Sequence, residues 1–106
     1  MYLSGLFERM GIPREKVVQV KPGTSSGEVV ARGDGDIGFQ QVSELLPLTG
    51  IDYLGPLSPD VQHVTVFSGG IHVAAADPQA ARELMKFLAS PAAAPVLRAK
   101  GLEPAL

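Results

Sequence analysis

Five short runs rich in β-branched and aromatic residues set the first constraint on how this chain can fold. They lie at residues 17–20, 37–40, 51–54, 64–67 and 71–74. Each has the length and composition of a single strand. Helical patterns stand before and between the first three. Leu3, Leu6, Phe7 and Met10 recur at i, i+3, i+4 and i+7, which predicts a helix over 2–10. Gly11 offers its left-handed stop, and Pro13 prevents its continuation. A second helix is expected over 26–32, with Val29 and Val30 inward and Gly33 as its stop. Ser25 and Glu28 have the spacing of a capping box at its start. Residues 42–46 form a short helix ended by Pro47. Asp77 and Pro78 open the clearest helix, with Ala81, Leu84, Met85 and Leu88 as its buried stripe. Ser90 and Pro91 repeat the start signal for a last helix, which Pro95 shortens or kinks and Gly101 ends. Ser68, Gly69 and Gly70 allow the last two runs to form a hairpin or one long bent strand. The order α-β-α-β-α-β, then β-β, then α-α predicts an α/β fold: a small, mainly parallel sheet with flanking helices.

Size and charge exclude several classes of function. A chain of 106 residues allows one small domain or parts of two. An apolar fraction of 45% is that of a globular protein. The absence of Cys removes disulfides, thiolate metal sites and a cysteine nucleophile. Nine Lys and Arg against eleven Asp and Glu, scattered along the chain, make no basic field for nucleic acid or a membrane surface. No apolar stretch approaches the ~18–20 residues that span a bilayer. Residues 1–9 do not have the pattern of a signal peptide.

Motifs for catalysis and metal binding are weak. His63 and His72 lie in strand-like sequence without the carboxylate spacing of a zinc protease. Asp34 and Asp36 flank Gly35, but the later ligands of a calcium loop are missing. Gly33, Gly35 and Gly38 lead into a strand rather than out of one, the reverse of a dinucleotide fingerprint. The expectation is therefore no catalytic residue, no metal and no cofactor. One segment has a positive reading. Residues 21–26, Lys-Pro-Gly-Thr-Ser-Ser, join a strand to a helix start. Free N–H groups and the helix dipole there favour an anion, with the Thr24, Ser25 and Ser26 hydroxyls as added donors and Gly23 permitting close approach. The same hydroxyls serve equally well as plain helix caps.

A series of segments resembles one family. Phe7-Glu8-Arg9-Met10-Gly11-Ile12 is similar to the "ERLGI" segment of bacterial periplasmic substrate-binding proteins of the molybdate ABC-transporter type. Residues 30–46, containing Gly33-Asp34-Gly35-Asp36-Ile37-Gly38 and Gln40-Gln41-Val42-Ser43-Glu44-Leu45, resemble that family's "G-e-a-D-i-G" region. Residues 80–91 and 101–104 resemble its C-terminal ending. The resemblance runs in order over nearly the whole chain. It implies a partial type II periplasmic-binding fold, the C-terminal half of a protein about twice as long. Residues 1–60 would be the remnant of the second lobe, 61–76 the crossover and 77–106 the closing helices of the first lobe. The start of a helix almost at residue 1 and the missing export signal fit that reading.

The resemblance further implies a non-enzymatic module of an ABC importer, in the periplasm, binding a small oxyanion-like solute and meeting a permease. Carried onto this sequence, the helix-start donors fall on Gly23, Thr24 and Ser25, and the tyrosine position after the "D-i-G" strand falls on Gln41. An amide there donates but also presents an acceptor, unlike a tyrosine in a molybdate site. With the first lobe's serines absent, several charge-assisted hydrogen bonds of roughly 1.5–3 kcal/mol each are lost. Millimolar affinity at best is expected for this chain, and titration with molybdate, tungstate and sulfate checks it. Other classes are an effector-sensing domain of a bacterial regulator, an enzyme using His63 or His72, and an orphan fragment without ligand. Unpaired sheet edges further predict a homodimer, with 61–76 the exchange point if it is domain-swapped; the alternative is a compact monomer with a hairpin over 64–74.

Overall fold

The computed structural model describes residues 2–105. The described residues divide into two compact units, with the boundary between Val64 and Thr65. The first holds α1 (Tyr2–Arg9), a 3-10 turn (Arg14–Lys16), α2 (Ser26–Ala31) and α3 (Val42–Leu45). The second holds α4 (Pro78–Leu88) and α5 (Ala94–Ala99).

The helices end where left-handed glycines allow it. At Gly11, Gly33 and Gly101, φ is 71°, 81° and 79°. In each case the glycine N–H and the next N–H bond back to the last turn, as in Ile12 N–H to the Phe7 carbonyl and Asp34 N–H to the Val29 carbonyl, both at 3.0 Å. At the other end of a helix, Asp77 caps α4 by accepting the Ala80 N–H at 2.9 Å, with Pro78 in the first turn. Asp77→Ala is expected to cost about 1 kcal/mol. Helical circular dichroism monitored through a urea titration measures it.

The mainly parallel sheet expected from the sequence is absent among the described residues: none of them is in a strand. The physical reason lies in the backbone bonding. Among the described residues, no backbone hydrogen bond outside the helices reaches more than five residues along the chain. A parallel ladder requires partners a dozen or more residues away. Without them the β-branched runs stay unpaired and in part exposed. Val18, Ile37, Leu54 and Val64 all lie on the surface, so the reading of 37–40 as a buried strand is corrected as well. The hairpin alternative is also absent; a turn at 72–75 closes with Ala75 N–H on the His72 carbonyl. In α4 the expected buried stripe is open, with Leu84, Met85 and Leu88 exposed.

Side chains make the longer connections in the first unit. Leu6 of α1 is 3% exposed, the most buried large side chain described. Phe7 meets Phe39 edge-on, with ring centroids 5.1 Å apart, a contact worth about 0.5–1.5 kcal/mol beyond its area. Tyr2 stacks on His63 at 4.8 Å, and its hydroxyl donates to the Val61 carbonyl. In α2, Gly27 is buried because a Cβ there would lie 2.4 Å from Leu48 Cδ1 and 3.1 Å from Leu45 Cδ2. This glycine lets α2 and the α3 region approach each other, and that approach shapes the site.

Candidate functional site

Residues 21–26 turn the chain into α2. Thr24 N–H closes the turn on the Lys21 carbonyl at 3.0 Å, and Gly23 takes φ 84°. Ser25 stands at the N-cap with extended backbone, but its hydroxyl does not bond the helix amides. It donates instead to Gln40 Oε1 at 2.8 Å. Ser26 N–H donates to the same oxygen at 3.0 Å. The local capping box expected from Ser25 and Glu28 is therefore replaced by a cap from a residue 14 positions beyond Ser26. Ser26 Oγ lies 3.0 Å from the Phe39 carbonyl and 3.1 Å from Gln40 Oε1. With one hydrogen to give, it is shared between them.

This network orients Gln40. The partner of a backbone N–H must be an acceptor, so the oxygen of the amide faces α2. Its two lone pairs are engaged by Ser25 Oγ and Ser26 N. The NH₂ group donates to none of the described residues. Phe39 fixes the adjacent position from the other side through Phe7. Gly38 permits the close approach: a Cβ there would stand 3.1 Å from the Ser26 carbonyl oxygen.

Beside this network lies an open cavity of about 390 Å³, lined by Gly23, Thr24, Ser25, Gln40, Glu44 and Leu48. The volume falls in the range of small-molecule sites. Three of the four residues singled out in the sequence, Gly23, Thr24 and Ser25, meet here. Gln41 is not among the lining residues: it is exposed and caps α3, its carbonyl accepting the Glu44 and Leu45 N–H groups. Gln40 and Glu44 are the polar lining residues that sequence reasoning did not select. Of the six, only Glu44 carries a carboxylate, and that carboxylate forms no hydrogen bond or ion pair with another described residue. The two histidines serve elsewhere. His63 stacks on Tyr2, and His72 Nδ1 accepts the Ala74 N–H in its own turn. Asp34 pairs with Arg32 at 3.2 Å. No group of three or more metal-ligating side chains is placed to hold an ion among the described residues.

The cavity wall thus carries the Ser25 hydroxyl and the Gln40 amide, held together by one hydrogen bond. The chain belongs to the bacterial extracellular solute-binding protein family, whose model matches residues 2–103. Aconitate isomerase from a Pseudomonas species is 39% identical over 107 residues, covering 98% of this chain and 41% of that protein. The chain thus spans about two-fifths of the length of that curated relative. No solved structure matches it. The relative corrects the expectation of a module without catalysis, because the protein it resembles is named as an enzyme. Histidine spacing and glycine motifs carry no information about a lone carboxylate in a four-residue helix such as Glu44 in α3.

Proposed function

We propose that the cavity at Gly23, Thr24, Ser25 and Gln40 binds one end of a small, multiply ionised carboxylate, and that the whole protein works on that solute outside the cytoplasm. The observation that carries this reading is the anchoring of Gln40, a cavity-lining residue whose Oε1 is held by Ser25 and Ser26 while its NH₂ has no acceptor among the described residues. The Thr24 hydroxyl adds a second donor. Neutral donors of this kind match carboxylate oxygens without burying a counter-charge. The relative named for aconitate, an unsaturated tricarboxylate, supplies the chemical class. The family match favours a second role for the same site, delivery of the bound solute to an ABC importer. No described helix is long and apolar enough to cross a membrane.

Isothermal titration of the full-length protein with aconitate, citrate, molybdate and sulfate tests the ligand class. Saturable binding of the tricarboxylates is expected, at least about tenfold tighter than of the inorganic anions, a difference of about 1.4 kcal/mol. Tighter binding of molybdate, or no heat with any carboxylate, sinks the reading.

A further inference from the structure

The cavity holds one side chain able to take a proton from carbon. Gly23 and Leu48 offer no such group. The Ser25 hydroxyl donates to Gln40 Oε1, and no base lies against the Thr24 hydroxyl among the described residues. Gln40 is a neutral amide. Glu44 remains, at the exposed rim of the cavity, with both carboxylate oxygens uncommitted. It lines the same cavity as the anchored Gln40, four positions further along the chain and within α3.

Resting on the carboxylate reading above, we propose that Glu44 is the proton-transfer residue of an isomerisation at this site. The substrate class is an unsaturated polycarboxylate with a methylene group next to its double bond. Glu44 accepts a proton from that methylene carbon. The released electron pair delocalises across the neighbouring double bond and its carboxylate. The former double bond gains single-bond character and turns, and Glu44 returns the proton to carbon. Atoms and electrons balance without a metal, oxidant or second substrate. The Gln40 NH₂ and the Thr24 hydroxyl face the carboxylate on which charge collects, where a fixed donor stabilises the intermediate more than the ground state. The exposed position of Glu44 also predicts that its charge weakens rather than supports binding of the anionic solute.

The experiment uses the full-length protein and its Glu44→Gln and Glu44→Asp variants. Binding of aconitate is read by calorimetry, and isomerisation and deuterium uptake at the methylene group by proton NMR in D₂O. The wild type is expected to bind and isomerise. Glu44→Gln is expected to bind equally well or more tightly and to lose at least about 100-fold in isomerisation rate, the scale of a general base. Glu44→Asp is expected to recover part of the rate. Isomerisation by Glu44→Gln within about tenfold of wild type overturns the assignment. So does a wild type that binds aconitate without isomerising it, or a Glu44→Gln variant that no longer binds; all three leave the carboxylate reading intact. A wild type that binds no carboxylate removes that reading and this inference together.

Discussion

Gln40→Glu is expected to leave the first unit folded and to abolish its hold on an anionic solute. The substitution is nearly isosteric. A glutamate at position 40 still presents an oxygen to Ser25 Oγ and Ser26 N, which now donate to Gln40 Oε1 at 2.8 and 3.0 Å. What disappears is the NH₂ group of this cavity-lining residue, and what replaces it is a second carboxylate oxygen that shares the negative charge. Losing a hydrogen bond to a charged group costs about 1.5–3 kcal/mol, and the like charge adds to that. Affinity for a carboxylate solute should fall by at least about 100-fold in calorimetry. The urea midpoint should stay near that of the wild type, because hydrogen bonds to an ionised acceptor are stronger than those to an amide. Gln40→Ala is the contrasting variant. It strips the cap from α2 as well as the donor, so it should lose binding and stability together. Retained binding by Gln40→Glu would falsify the role given to the amide.

Leu6→Ala carries the largest expected effect on stability. Leu6 is 3% exposed, while many other large apolar side chains described lie open to solvent. The first unit therefore concentrates much of its apolar burial at this position of α1. Leu→Ala at such a site costs about 2–5 kcal/mol, from lost transfer energy and from the cavity left behind. A marginal unit has little more than that to lose. The consequence reaches the site, since α1 also carries Phe7, whose ring holds Phe39 next to Gln40. Urea unfolding of the variant should show a midpoint well below wild type, with solute affinity falling in parallel. A midpoint unchanged within error contradicts the placement of Leu6 in the core.

The helices were legible because their signals are local. Spacing of Leu3, Leu6 and Phe7, the Asp77-Pro78 start and the stops at Gly11, Gly33 and Gly101 each act within one or two turns. The observed helices agree with them to within a residue or two at most ends. The runs at 17–20 and 37–40 carry an equally clear strand composition and form no strand. A strand is completed by another stretch of backbone, and composition cannot supply that partner. The buried stripe of α4 failed for a related reason: periodicity says which face is apolar, not what covers it.

The candidate site divides along the same line. Gly23, Thr24 and Ser25 are readable because a turn before a helix must place small and hydroxylated residues there. The choice of Gln40 over its neighbour Gln41 is not readable, since two adjacent glutamines look alike until the chain folds back. Sequence alone determined the helices, their glycine stops and the polar corner before α2, because those depend on bonds closed within a few residues. Only the tertiary structure decided that Gln40 caps that corner, because that depends on a contact between residues 14 positions apart in the chain.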